Sequence, residues 1–158
     1  MEYSLDDADR GILTALQRNS KATNAEIAQQ VGLSAAAVHA RVKRLQDDGV
    51  IDHYTAIVNR ERIGFDMLCF VQVSLRAHDR ETTRCFSEAI KEMPQVLECY
   101  QLIGDIDYLL KVVFRSKDDL RRFLMEGLTS IEGVTHIKTS LALTEVKSTT
   151  ILPLDGGE

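Results

Sequence analysis

Three cations that lie close together in the sequence are candidates for binding phosphate. Arg41, Lys43 and Arg44 lie within residues 34–46, a segment that contains no acid. Guanidinium and ammonium groups bind phosphate oxygens, so this group can contact a nucleic-acid backbone. The net charge of the 158-residue chain is −5, which predicts weak non-specific affinity for DNA, but a local basic face matters more for phosphate contact than the total. The alternative is an ordinary solvated helix surface.

The last of three predicted helices positions these cations. In the first helix, apolar residues recur at helical spacing, at Leu5, Ala8, Ile12 and Leu16. Thr23 and Glu26 form a capping box for the second helix, and Gly32 fits the left-handed residue that ends it. Ser34 caps the third helix, whose inner face carries Val38, Val42 and Leu45. Two helices joined by about three residues around a glycine indicate a helix-turn-helix, in which the second helix of the pair lies in the major groove.

The outward face of the third helix carries small residues early and cations late. With Val38 inward, Ala36, Ala40 and Lys43 point outward, His39 and Arg44 flank them, and Arg41 lies nearer the inward edge. Small residues allow close approach to base edges, and the cations reach phosphates. The predicted DNA-contacting set is Ser34, Ala36, His39, Ala40, Arg41, Lys43 and Arg44. The alternative is a three-helix core without a DNA role.

The remainder of the chain alternates predicted strands and helices. Residues 50–58 have strand composition, and the charged run 59–62 with Gly64 marks a domain boundary. After it the pattern predicts strands over 67–75, 96–103, 108–114 and 134–146, with helices over 80–93 and from about 117 to Gly133. This β-α-β-β-α-β order is the ferredoxin-like plan, a four-stranded antiparallel sheet with two helices on one face.

The predicted fold class is therefore α+β, an N-terminal winged-type helix-turn-helix followed by a ferredoxin-like βαββαβ domain. Residues 1–50 form the first domain, residues 51–63 a linking strand and hinge, and residues 64–158 the second domain. Such a sheet leaves one face without helices. The run 68–71, Leu-Cys-Phe-Val, is apolar on both strand faces, so we expect another subunit to cover that face.

This arrangement resembles the leucine-responsive regulator/AsnC family, the feast/famine transcription regulators. The resemblance extends over nearly the whole chain. Residues 5–13, LDDADRGIL, are similar to the family's opening LDxxDRxIL, and residues 104–111, GDIDYLLK, are similar to its GDxDYLLK. Shorter matches lie at residues 31–34, 41–45, 49–51, 54–56, 133–134 and 144–147. Many members begin the recognition helix with Ser-Pro, whereas this chain has Ser34-Ala35, and alanines supply no base-specific hydrogen bonds. The resemblance therefore does not imply which operator sequence this chain binds.

The resemblance implies a DNA-binding transcription regulator whose second domain senses an amino acid or a related small effector. It also implies homodimers built by facing sheets, assembling to tetramers or octamers, with the effector bound between dimers. The implied effector site is Gly104, Asp105, Ile106 and Asp107, with Tyr100, Leu102, Thr129 and Thr139 as further candidates. Turn amides can donate to a carboxylate, and the two acids can accept from an α-ammonium group. A plain hairpin turn with solvated acids is the alternative.

Enzymatic and metal chemistry find little support in the sequence. His39, His53, His78 and His136 are isolated, and no phosphate loop or nucleophile elbow is present. The three cysteines, Cys69, Cys85 and Cys99, are expected to be buried free thiols. No signal peptide or long apolar run is evident. We therefore expect a cytoplasmic non-enzyme without cofactor, metal or membrane; the alternative is a ferredoxin-like ligand-sensing module or dimeric enzyme without DNA binding.

Overall fold

A computed structural model describes residues 3–77 and 79–154 of the chain. These residues divide into two compact units. The first unit holds the described residues up to Ile57 together with those from Lys147 onward, and the second runs from Val58 to Val146. No helix within the described residues is both long enough and apolar enough to cross a membrane.

The first unit is built on three capped helices, α1 (Asp7–Arg18), α2 (Asn24–Val31) and α3 (Ala35–Asp47). Thr23 and Glu26 form the predicted capping box of α2, and the hydroxyl of Ser34 caps α3. Gly32, at φ 69°, ends α2 in the left-handed conformation. The core between the helices is formed by the fully buried side chains of Ile12, Ile27, Val38 and Leu45. The structure thus confirms the predicted helix-turn-helix.

The end of the described chain packs onto α1. The backbone N–H of Leu152 donates to Oε1 of Gln17 at 2.6 Å, and Nε2 of Gln17 donates back to the carbonyl of Leu152 at 3.2 Å. Arg10 donates to the carbonyl of Leu154 at 3.3 Å, and Leu154 joins the apolar cluster of the first unit. Residues 147–154, which we name the C-terminal strap, therefore belong with the first unit and not with the expected second domain.

The second unit is the predicted four-stranded antiparallel sheet. Its strands are β1 (Met67–Leu75), β2 (Val96–Gln101), β3 (Tyr108–Phe114) and β4 (Val134–Leu141), in the order β2-β3-β1-β4. The helices are α4 (Arg80–Lys91) and α5 (Lys117–Arg122). One sheet face packs on the helices through a core that includes Val71, Phe86, Leu110, Phe123 and Leu128. The fold class is confirmed as α+β.

Two predicted elements differ in kind from the structure, and the strands predicted over 96–103 and 134–146 are shorter, ending at Gln101 and Leu141. Residues 50–58 form no strand, because a strand needs a hydrogen-bonded partner and no strand of the described chain pairs with this segment. The second long helix is not regular. After α5 the chain makes a π-helical turn, Phe123–Gly127, and a 3₁₀ turn, Leu128–Ser130, with Gly127 at φ −90° and ψ −80°. Glycine is a poor helix former, so the helix changes geometry there.

The sheet face opposite the helices carries both apolar and charged side chains. Phe70 and Tyr100 are 38% and 53% exposed on this face. Lys111 and Glu98 form an ion pair beside them at 3.1 Å. We name this surface the open sheet face. Its two exposed rings make it a candidate interface.

Candidate functional site

Helix α3 presents the face that the sequence predicts. Val38 and Leu45 are fully buried, whereas Ala36, His39, Ala40 and Lys43 are exposed. At the start of the helix, Oγ of Ser34 accepts from the N–H of Ala37 at 3.2 Å. All seven predicted DNA-contacting residues therefore lie on α3 or at its cap. The outward face of α3 carries small side chains near its N-terminus and Lys43 further along.

Two of the three cations on α3 are held by carboxylates of α1. Arg41 Nη1 lies 2.7 Å from Oδ2 of Asp6 and 2.8 Å from Oδ1 of Asp9. Arg44 Nη2 lies 2.6 Å from Oδ2 of Asp9. Asp9 is 2% exposed and is the one buried charged side chain among the described residues. Lys43 is exposed and has no ion-pair partner within residues 3–77 and 79–154.

These contacts favour the charged forms of Asp6 and Arg41. The pKa of Asp6 is lowered, first by the hydrogen bond from the backbone N–H of Asp9 and then by the guanidinium of Arg41. The pKa of Arg41 is raised by its hydrogen bonds to Asp6 and then to Asp9. Because a buried carboxylate is costly without partners, the two arginines serve first to hold α3 against α1. Arg44, whose side chain is 48% exposed, still reaches solvent.

The role of Asp9 is the part of this site that sequence reasoning missed. Asp6, the N-cap of α1, is three residues before Asp9, and Arg41 and Arg44 are three residues apart on α3. Matching spacing of opposite charges on two adjacent helices is the signal that points to such a cluster. Asp6 and Asp9 also make a capping box at the start of α1, which fixes the carboxylates where the arginines meet them.

The turn between β2 and β3 holds the predicted effector residues. The N–H of Leu102 donates to the carbonyl of Asp107 at 2.8 Å, which closes the turn. Gly104 has φ 152°, a conformation that residues with a Cβ rarely adopt, and, its two chain neighbours aside, no heavy atom of the described residues lies within 4 Å of the position that a Cβ would take there. Asp105 is exposed and Ile106 is half-buried. The turn therefore presents backbone and one acid to the solvent.

Asp107 has a different environment from Asp105. Its Oδ2 accepts from the N–H of Leu75 at 2.7 Å, and its own N–H donates to the carbonyl of Val73 at 3.1 Å. These bonds tie the turn to the end of β1. Part of the hydrogen-bonding capacity of Asp107 is thus used to hold the turn, which makes it the less suitable of the two acids as an acceptor for a ligand.

The further effector candidates do not converge in one chain. Tyr100 lies on the open sheet face and donates to Glu98 at 2.8 Å, whereas Thr139 pairs with Val71 on the helix-covered face. Their strands, β2 and β4, are the two edges of the sheet. Three interstrand spacings separate these edges, about 14 Å. Thr129 lies after α5 and donates to the carbonyl of Met125 at 2.6 Å.

A cavity of about 480 Å³ lies elsewhere in the second unit. Its lining includes Gln95, just before β2, and Phe114 at the end of β3. The effector turn joins the other ends of these two strands, so this cavity is at the opposite end of the sheet. Its two arginines are engaged, Arg122 with Asp119 and Arg115 with the carbonyl of Ile63.

The cysteines and histidines show no metal-binding arrangement in the part of the chain that the structure describes. Cys69 is buried, which raises the pKa of its thiol. The expectation of burial was wrong for Cys85 and Cys99, which are exposed, because one lies on the outer side of α4 and the other on the edge strand β2. No group of three or more His, Cys, Asp or Glu is placed to hold a metal among the described residues; His78 lies outside them.

Known families match both units. Residues 5–52 match the model of a winged helix-turn-helix DNA-binding domain, and residues 68–152 match that of the Lrp/AsnC ligand binding domain. The transcriptional regulator AzlB of Bacillus subtilis is 34% identical over 155 residues, which cover 98% of this chain and 99% of the relative. The Bkd operon transcriptional regulator of Pseudomonas aeruginosa is 38% identical over 150 residues, 95% of this chain and 98% of its own.

Solved structures give the same picture. A transcriptional regulator from Neisseria meningitidis, crystallised as a complex with L-Met, is 34% identical and superposes with a TM-score of 0.92, over 96% of this chain and 98% of that one. The structure of Escherichia coli AsnC is 29% identical with a TM-score of 0.88, over 96% of this chain and 100% of that one.

Proposed function

Because this chain belongs to the Lrp/AsnC family of transcriptional regulators, we propose that it binds operator DNA through α3 and adjusts that binding to an amino acid or a closely related molecule. The observation that carries the proposal is the outward face of α3. This face carries exposed small residues and the cation Lys43, unpaired among the described residues, and it belongs to the second helix of a helix-turn-helix.

The seven residues of α3 and its cap divide into roles by their contacts. Lys43 is the first phosphate-binding cation, because it is exposed and unpaired in the described chain. Arg44 reaches a phosphate while Asp9 holds its Nη2, and Arg41 mainly fixes the helix. Ala36, Ala40 and His39 face the bases, and the hydroxyl of Ser34 orders the first turn of α3. The backbone contacts supply affinity and the base contacts supply specificity.

The effector binds at the turn Gly104–Asp107 in this proposal. The L-Met complex of the Neisseria regulator supports an amino acid as the ligand class. Asp105 accepts from the ammonium group, because it is exposed, while Asp107 holds the turn to β1. Backbone amides at Gly104 and Ile106 donate to the carboxylate. Leu102 is next to the turn Gly104–Asp107. Tyr100, Thr129 and Thr139 either come from neighbouring copies of the chain or contact ligands that extend beyond the turn.

The same reasoning favours a homodimer that assembles further to a tetramer or octamer. The open sheet face exposes Phe70 and Tyr100, which an equivalent face of a second copy can cover. Because Tyr100 and Thr139 lie at opposite sheet edges within one chain, an effector site that uses both needs more than one copy. We further propose that the protein acts in the cytoplasm without catalytic activity, since relatives that match at least 95% of the chain are transcriptional regulators.

Two measurements on the full-length protein test the proposal. The first is retardation of the protein's own promoter fragment in a gel at several salt concentrations. Binding that weakens steeply with salt supports it, and the absence of retardation at low salt would favour the alternative of a sensing module without DNA binding. The second is a thermal-shift screen with the twenty amino acids, followed by calorimetry with each ligand that raises the melting temperature.

A matched pair of variants tests the effector site. Asp105→Ala should weaken binding of the identified amino acid at least about tenfold, the loss expected for one charge-assisted hydrogen bond. Asp66→Ala, at an equally exposed acid outside the turn, should not change it. Equal affinities for the two variants would place the ammonium group elsewhere.

A further inference from the structure

The first half of α3 is almost without polar side chains. In a helix-turn-helix this half lies against the base edges. Ala35, Ala36 and Ala40 are exposed alanines, which offer apolar contact alone, for example with a thymine methyl group. The hydroxyl oxygen of Ser34 is used as the helix cap. His39 is therefore the one side chain from Ala35 to Ala40 that can hydrogen-bond a base.

A contact from α2 orients the ring of His39. Nδ2 of Asn24, the first residue of α2, lies 3.4 Å from Nδ1 of His39. Because an amide nitrogen donates and does not accept, Nδ1 is the acceptor. An imidazole that accepts this bond at Nδ1 carries its single proton on Nε2. Nε2 has no hydrogen-bond partner within residues 3–77 and 79–154, and the side chain is exposed.

The cations of α3 do not compete for this role. Arg41 and Arg44 are drawn toward Asp9 on the inner side of the helix. Lys43 follows His39 by four residues and so shares its side of α3. This places the imidazole of His39 on the part of the outward face nearest the bases and the ammonium group of Lys43 on the part that passes the phosphate backbone.

We propose that His39 is a specificity-determining residue that donates from Nε2–H to an acceptor on a base edge in the major groove. The proposal rests on the proposed function, since it concerns the same helix on DNA. Asn24 acts as a positioning residue, because it fixes both the ring and the nitrogen that carries the proton. The alanines on either side let the ring come close to the base.

The chemistry of the donor selects a class of base. Guanine offers two acceptors in the major groove, N7 and O6, whereas cytosine offers an amino donor. We therefore expect guanine at the contacted position of each half-site, with cytosine as the least acceptable replacement. A single donor discriminates less than the two-bond contacts of arginine or asparagine, so the expected preference is about five- to tenfold.

The experiment is selection of duplexes from a randomised DNA library by the full-length protein, followed by titration of the selected duplex. For the wild type, replacing the critical guanine by cytosine should weaken binding about five- to tenfold. For His39→Ala the same replacement should change binding less than twofold, while the salt dependence stays as in the wild type. Asn24→Ala should show an intermediate preference. Lys43→Ala is the control, because it should retain the guanine preference and lower the salt dependence.

Three results would overturn the inference. If His39→Ala selects the same motif with the same penalty for cytosine, another residue reads the base, and the proposed function stands. If His39→Ala weakens all duplexes equally and lowers the salt dependence by one phosphate's worth, His39 contacts the backbone. If the wild type enriches no motif, sequence-specific DNA binding fails, and the role of His39 fails with it. Circular dichroism of each variant checks that the helices are intact.

Discussion

Helix α3 and the turn between β2 and β3 carry the two candidate sites. Within one chain the predicted residues of the first site lie together, whereas those of the second do not. The residues of α3 are held within the first unit by a side-chain cap and by a buried carboxylate that binds two arginines. The turn presents Gly104 and Asp105 to solvent, and the other predicted effector residues lie on distant edges and faces of the sheet.

This difference between α3 and the turn indicates what each candidate site needs in order to form. A DNA-reading helix that is ordered before it meets DNA binds more tightly, because ordering it on binding costs free energy. A site shared between copies gains its full set of contacts only on assembly, so ligand binding and assembly are coupled by the same free energy. In the proposed function, the fold of one chain builds the first site, and association of copies builds the second. The variants below test this contrast, beginning with the largest expected effect.

Asp9→Ala tests whether α3 is held by the buried carboxylate. We expect a loss of about 2–3 kcal/mol in the free energy of unfolding, because removal of one partner from a buried ion pair is strongly destabilising; the value is below the fully buried case because both arginines reach solvent. Denaturant unfolding followed by circular dichroism measures the change. Asp7→Ala is the control, since Asp7 is an exposed acid on the same helix. Equal losses for the two variants would contradict the role of Asp9.

Asp107→Ala tests whether the turn depends on its own internal bonds. We expect a loss of about 1–2 kcal/mol in stability, because the N–H of Leu75 loses its acceptor. Asp105→Ala should change stability by less than about 0.5 kcal/mol, since its side chain is exposed. Thermal unfolding of both variants makes the comparison. Equal stability of the two would mean that the bond to Leu75 contributes little.

Lys43→Ala tests the DNA side without altering the fold. We expect binding to weaken similarly for all sequences and the slope of log affinity against log salt to fall by about one phosphate's worth. Fluorescence anisotropy at several salt concentrations gives the slope. Lys21→Ala serves as the control, because Lys21 is exposed in the loop before α2. A wild-type slope in Lys43→Ala would remove this residue from the phosphate contacts.

Asp6→Asn tests the acid dependence of the α1–α3 contact and should have the smallest effect. The pKa of Asp6 is lowered in the folded chain, so its contribution to stability is present above the ordinary value of 3.8 and is lost as the pH falls below it. As the pH falls from 5 to 3, the melting temperature of the variant should therefore decrease less than that of the wild type. Parallel pH profiles for wild type and variant would show that Asp6 does not contribute.

Much of the fold was predictable from the sequence, because capping residues and apolar spacing are local signals. The capping box at Thr23, the cap at Ser34 and the left-handed Gly32 lie where the pattern predicts them. The strand predicted over residues 50–58 is absent, since strand composition does not supply a partner strand. The irregular turn at Phe123–Gly127 was not predicted, because apolar periodicity does not distinguish α-helical from π-helical turns.

The candidate sites were predictable in part for the same reason. Burial on α3 follows helical periodicity, so its outward residues were identified correctly as a face. The partners of Arg41 and Arg44 lie more than 30 residues away in sequence, and a single sequence does not show such contacts. The hydrogen bond from Leu75 to Asp107 is also long-range, and it assigns that acid a structural role that its place in a motif does not indicate.

The C-terminal strap has a consequence for the order in which this protein folds during synthesis. Gln17 and Leu152 are 135 residues apart, and every residue of the second unit lies between them. The three-helix core has mainly local contacts, so it forms early and fast. Its bonds to Leu152 and Leu154 wait until the ribosome has made the whole sheet. A nascent chain therefore carries α1 with one surface uncovered, and the strap covers that surface late, after the sheet has been synthesised.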